Sequence, residues 1–377
     1  MKISGWMHMR VLARAAKARL LRAAGRPDRP VERHPDGMQL QPSDLGSVRA
    51  RAAPLQLARM NGAFSNGRAW QEAARAKLRE LLVVEQGDHV ANESWSRDIG
   101  EILARRVYLR RTAGVDIPVT VLSDPRKPEA GPPLIVMLGT FSAVHLAMGE
   151  ARLPYDVARL ANGADIGRQA VRAGYTAICV ELSSLGERRE RRYGRGTSTS
   201  TAAESALLFG HNLLGDRVSD LMCVVDWWRT DCGARHAPHK HPWVLGHSAG
   251  GTVALFGAAV DERIQGCVAS GCIGFIRETL LKRRNEGGQN TVPGILNWLE
   301  LDDVVSLVAP RPLLAVSGLQ DHIWPFSGCE AVLAAARPMW DELGDAAHIR
   351  ASEAKGEHRF HPDATWDALR ALRDSCA

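Results

Sequence analysis

The stretch Pro242-Trp-Val-Leu-Gly246-His247-Ser248-Ala249-Gly250-Gly251-Thr-Val-Ala-Leu-Phe-Gly-Ala-Ala259 decides how the chain reads. Residues 242–248 (PWVLGHS) form an apolar run that suits a strand covered on both faces, and TVALFGAA after the glycines suits a helix of small residues. Between them lies G-x-S-x-G. That pattern is weak alone, but a buried strand ending on Ser248 and a helix starting directly after it are what a nucleophile elbow requires. Gly246 and Gly250 let strand and helix approach without a Cβ clash, so the serine hydroxyl is pushed out at the carboxyl edge of the sheet. The helix start beneath it favours developing negative charge.

Outward from this turn, β and α patterns alternate. LIVML (134–138), TAICVEL (176–182), IQGCVAS (264–270), PLLAVSG (312–318) and HIRASEA (348–354) read as strands. Helices are expected over 69–83, 154–173, most of 202–230, 249–260, 327–343 and 363–375. Residues 104–112 and 117–123 alternate around a Gly-containing turn, as an antiparallel pair does. The expectation is an α/β fold: one mostly parallel, doubly covered sheet with right-handed crossovers. Segment 272–300 interrupts the alternation and is expected to be a small helical lid or, equally, packed core.

A serine hydroxyl needs a base, and the base a group that orients it. In this topology the order is Ser, acid, His, each after a later strand. Asp321 follows PLLAVSG and His358 follows HIRASEA, 73 and 37 residues further along in turn. His361 is the rival base, but Pro362 after it marks a helix start and places it near a cap. Asp302 and Asp303 precede their strand and suit a helix cap better than the acid's role. The oxyanion donors are expected to be the backbone N–H groups of Ala249 and of Thr140, with Phe141 as the alternative to Thr140.

With these residues in place, the chain resembles the α/β-hydrolases. More narrowly it resembles the bacterial acetyl xylan esterase and dienelactone-hydrolase-like branch. The resemblance rests on ELSSLGERRE (181–190), ALLFGHNLLGDRVSDLMCVVDWW (206–228), LGHSAGG (245–251), AVDERI (259–264), APRPLLAVSGLQDHIWP (309–325) and GEHRF (356–360). It covers about residues 68–377. It implies carboxylic ester hydrolysis with Ser248, Asp321 and His358 as the triad, and no metal or organic cofactor. It names no substrate beyond a small-molecule ester. One departure stands out: the oxyanion loop usually carries His-Gly, and here reads Leu138-Gly139. The same fold also hosts amidases, lactonases and acyltransferases, and a non-catalytic binding module is the remaining class. Phe141, Arg188, Trp298 and Trp324 are the candidate pocket residues, Arg188 or Arg189 as an attractor of an acidic group.

The chain has 377 residues, 45% hydrophobic and 24% charged, which excludes wholesale disorder. Its formal charge of +6 sits at one end. Residues 1–60 hold 12 Lys/Arg against 4 Asp/Glu, and the remainder holds 36 against 38. The nearly neutral body carries no nucleic-acid footprint. The basic part is read as an arm and linker over 1–67, with an amphipathic helix over 8–24. It would pack on a second copy in a homo-oligomer, stay mobile, lie on a membrane surface or serve import. No apolar run long enough to span a bilayer occurs. Seven scattered cysteines without a CxxC suit a reducing, cytoplasmic setting. His236-Ala-Pro-His239-Lys-His241 has metal-like spacing but falls on the amino side of its strand, so a solvated loop is expected.

Overall fold

The computed structural model describes residues 66–376 apart from 113, 127–131, 141, 193–194, 197, 233–240 and 281–287, together with residues 20, 24 and 56. The chain divides into two compact units, residues 1–52 and 53–377. The amphipathic stretch 8–24 and the His236/His239 loop fall almost wholly outside the described residues.

Helix α1 (Gly67–Leu82) opens the described part, capped by the Asn66 side chain on Ala69 N–H. Strands β1 (His89–Ile99), β2 (Ile102–Arg111) and β3 (Asp116–Ser123) form an antiparallel meander. After β4 (Pro133–Leu138) come α2 (Val144–Ala147), α3 (Pro154–Ala161), α4 (Ile166–Arg172) and β5 (Thr176–Glu181). Next are α5 (Thr199–Leu208), α6 (Leu213–Trp227), β6 (Trp243–His247), α7 (Ala249–Val260) and β7 (Gly266–Ser270). The chain closes with α8 (Leu301–Ser306), β8 (Leu313–Gly318), α9 (Phe326–Leu343), β9 (Ile349–Ala354) and α10 (Pro362–Asp374).

Among the described residues nine strands make one sheet in the order β1-β2-β3-β5-β4-β6-β7-β8-β9. β3 runs antiparallel to β5, and from β5 to β9 every pairing is parallel. The strand pattern explains the layers. All six residues of β4 are buried, and they alternate between two cores. Ile135 and Met137 join α1, α6, α7, α8 and α9 on one face. Leu134, Val136 and Leu138 join α4 and α10 on the other. Burying each such side chain contributes about 1.5–3 kcal/mol, so slipping the register by one residue would exchange both faces at once.

Three sequence expectations change. β1 is an added edge strand, unforeseen because HVANESWSRDI is mostly exposed and shows no apolar alternation. The helix expected over 154–173 is two, broken at Asn162-Gly163, where Gly163 takes φ +82. The helix over 202–230 is likewise two, parted at Gly210 (φ +76) before Asn212 caps α6.

The described ends of 272–300 pack into the body of the fold. Ile273, Ile276, Ile295 and Leu299 are buried in the larger core. Glu300 caps α8 and also accepts the Ile276 N–H at 2.6 Å, which ties the ends of the segment together. Asp303 completes that capping box through Glu300 N–H.

Candidate active site

β6 ends at His247, and Ser248 takes φ 56, ψ −124 before α7 begins at Ala249. This is the left-handed side of backbone space, where a non-glycine residue is strained. The surroundings hold it there: Ser248 N–H donates to Ser270 O at 2.8 Å, and Ser248 O accepts from Thr252 N–H at 3.0 Å. The flanking glycines are needed for close approach. A Cβ on Gly250 would lie 2.0 Å from Met137 O, and one on Gly246 would lie 2.2 Å from Gly250 C.

Asp321 sits three residues past β8 and is buried. Its Oδ1 accepts the N–H groups of Ile323 and Trp324, both at 2.8 Å. Oδ2 is left for His358 Nδ1, at 2.7 Å. His358 Nε2 lies 2.9 Å from Ser248 Oγ. Because a carboxylate only accepts, neutral His358 carries its proton on Nδ1, and Nε2 accepts from the serine hydroxyl. Burial pushes the Asp321 carboxyl up, but the hydrogen bonds from His358, Trp324 and Ile323 outweigh it and hold the group below its ordinary value. The acid and base loops are tied to each other. Gln320 Oε1 accepts Gly356 N–H at 2.7 Å, and Gln320 N–H donates to Gly356 O at 3.0 Å.

His361 is the N-cap of α10 and its Nε2 lies 3.0 Å from Glu357 O, so it braces the base loop and does not bond Ser248. The His247 ring lies 4.9 Å from that of His358 and its Nδ1 lies 3.0 Å from Ser270 Oγ. Desolvation, with the like charge of His358 as the next cause, pushes His247 down to about 3.

Ser248 opens on a cavity of about 370 Å³ whose wall includes Thr140, Arg159, His247, His358 and Arg359. Ala249 is the first residue of α7, so its N–H has no partner within the helix. Thr140 lines the same cavity, and its Oγ1 is buried without a hydrogen-bond partner. Phe141 lies outside the described residues. The other expected pocket residues sit elsewhere. Arg188 is ion-paired with Asp220 at 2.5 Å and lines a second cavity of about 670 Å³ with Tyr108 and Arg111. Trp298 packs on the larger core with Lys77 Nζ 4.2 Å from its ring centre. Trp324 is buried beside Gly274 and serves the site through its backbone N–H.

Sequence reasoning missed Arg159, Arg359, His247 and Gln320. Arg359 adjoins the predicted base, which was a usable signal. Gln320 works through a contact between two loops that spacing does not show. Among the described residues no group of three His, Cys, Asp or Glu is placed to hold a metal ion. Burial pushes the thiols of Cys179, Cys223, Cys267 and Cys329 up to about 12, which makes them poor nucleophiles.

No family profile matches the chain. A Bacillus subtilis (strain 168) protein, YtaP, named as a hydrolase, is 27% identical over 162 residues, 42% of this chain and 51% of its own. The chain thus matches about half the length of that relative. Among solved structures, one named as an acetyl xylan esterase from Bacteroides fragilis NCTC 9343 superposes with a TM-score of 0.72 at 17% identity, covering 91% of this chain and 97% of the other. A CE15 glucuronoyl esterase from Teredinibacter turnerae T7901 gives 0.59 at 18%, covering 96% and 99%. A CE15 esterase from a marine bacterial metagenome gives 0.62 at 15%, covering 86% and 98%. Sheet order, strand–serine–helix turn and these likenesses agree, and the chain has the α/β-hydrolase fold.

Proposed function

We propose that the protein is a serine hydrolase that cleaves carboxylic esters of small molecules through an acyl-enzyme. The observation that carries this reading is the unbroken line Asp321 Oδ2–His358–Ser248 Oγ, at 2.7 and 2.9 Å. Ser248 Oγ attacks the ester carbonyl while His358 Nε2 takes its proton. The tetrahedral oxyanion is received by the backbone N–H of Ala249 and of Thr140, a pair of donors each worth about 3–4 kcal/mol in such sites. His358 then protonates the leaving alcohol. Water repeats the sequence on the acyl-enzyme and frees the acid. Asp321 keeps the imidazole in the required tautomer and stabilises its cation.

Each step is carried by the chain's own groups. The free, buried thiols suit the reducing cytoplasm as the place of action. The test is hydrolysis of 4-nitrophenyl acetate with and without a fluorophosphonate. Hydrolysis that the reagent abolishes, with the label on Ser248, is the expected result. Turnover that survives complete labelling of Ser248 contradicts the reading.

A further inference from the structure

The base has a second imidazole against it. His247 ends β6 one residue before the nucleophile, and its ring centre lies 4.9 Å from that of His358 with the planes 36° apart. Gly271 makes this approach possible. A Cβ there would lie 2.8 Å from His247 Cε1 and 3.2 Å from His358 Cε1, so both rings rest on the same bare Cα. Phe360 meets His247 at a steep angle with ring centres 6.4 Å apart, and Trp366 of α10 meets Phe360 in turn at 6.0 Å. Ser270 fixes the orientation. Its hydroxyl oxygen lies 3.0 Å from His247 Nδ1, and its carbonyl accepts the Ser248 N–H. One residue of β7 thus holds both the nucleophile's backbone and the ring beside the base.

Burial, with His358 as the next cause, pushes His247 down to about 3, so its ring is neutral where a histidine base works. That matters beside His358. A second charged imidazole 4.9 Å away would oppose the cation that forms as Ser248 gives up its proton. A neutral aromatic ring at that distance is within reach of a cation–π attraction instead. The attraction arises only while His358 carries the extra proton, so it favours the transition state over the resting protein.

The geometry points to His247 as a positioning residue of the proposed reaction: its ring holds the His358 ring in line between Asp321 and Ser248 and favours the His358 cation. This rests on the esterase reading and adds a residue to it. His247 acts through His358.

Two apolar substitutions separate the ring from mere packing. His247→Leu fills the space without a ring, and His247→Phe restores one. On 4-nitrophenyl acetate, His247→Leu should lower kcat by about ten- to a hundredfold with KM within about threefold, and His247→Phe should recover most of the loss. With the cation less favoured, the rise of kcat/KM with pH should move down by about half a pH unit in His247→Leu and return in His247→Phe. The other titratable and charged groups around the two rings are Asp321 after β8, His361 at the start of α10, Glu357 and Arg359 in the base loop, and Arg159 on α3. All are the same in both variants, so the movement reports the ring. An unchanged kcat in His247→Leu overturns the proposal, as does a loss that His247→Phe does not recover or a pH profile that stays in place. A measurement without turnover or substitution separates this from the esterase reading. In the unaltered protein, proton–nitrogen correlation NMR of the imidazoles should show His247 in one neutral tautomer from about pH 5 to 9, its signals moving only as His358 takes up a proton. Titration of His247 itself in that range overturns the proposal even where ester hydrolysis is confirmed. The expected NMR pattern in a protein that hydrolyses no ester overturns the esterase reading and keeps His247 as the partner of the His358 cation.

Discussion

With Oδ1 of Asp321 committed to two backbone N–H groups, Oδ2 has one task, and that is His358. Asp321→Asn turns an acceptor into an amide that can donate, which favours the wrong imidazole tautomer. A fall in kcat of about 10⁴-fold is expected, with the fold kept. His358→Ala should lose nearly as much, and His361→Ala far less, because His361 touches the Glu357 carbonyl and not Ser248. Kinetics of the two variants on one ester check the ranking. The site also imposes a pH dependence on stability. His247 is pushed down to about 3 and His361 is lowered too, chiefly by burial, so each takes up its proton less readily folded than unfolded. Unfolded, each binds a proton below about pH 6.5. The unfolded state then holds more protons, and stability falls as pH drops from about 6.5 towards 3. The lowered Asp321 acts in the same direction at still lower pH. Urea unfolding midpoints should be lower at pH 4.5 than at 7.5, and His247→Phe should narrow the gap. At this scale the sequence was legible where chain order limits the choice: Ser248, Asp321 and His358 each follow a strand. It was misleading for Arg188, which lies past a strand end but turns to Asp220 on α6, a partner spacing does not reveal.

The elbow is an agreement between three elements: β6, α7 and the end of β4. Gly250→Ala would set a Cβ against the Met137 carbonyl, an immobile backbone atom. The strand or helix must then shift, which costs about 1–3 kcal/mol or more and moves Ser248 away from His358. A lowered denaturation midpoint together with lost turnover is expected, whereas Ser248→Ala should lose turnover alone. Buried parallel strands announced themselves as continuous apolar runs, because both their faces are covered. β1 did not, since an edge strand with mostly exposed side chains is held by its ladder to β2 and needs no apolar pattern. The two helix breaks went unread for a different reason. Gly163 and Gly210 are tolerated inside helical patterns, and only the packing decides that they turn the chain.

For the whole molecule, the groups proposed to act all come from the unit spanning residues 53–377. Removing residues 1–60, which hold all of the excess positive charge, should leave specific activity on a small ester within a few-fold. A truncated protein that is folded but inactive would mean the arm helps build the pocket. Among the described residues no helix is long and apolar enough to cross a membrane. In the proposed reaction Ser248 passes through a covalent acyl state formed with His358 and resolved by water. Rapid acid quench of the protein with 4-nitrophenyl acetate, followed by intact-mass and peptide analysis, tests it most directly. One acetyl group per chain is expected on Ser248, formed with a burst of nitrophenolate, decaying at the steady-state rate and absent from Ser248→Ala. Full turnover with no acetyl on Ser248, or acetyl on another residue at a competent rate, would contradict it.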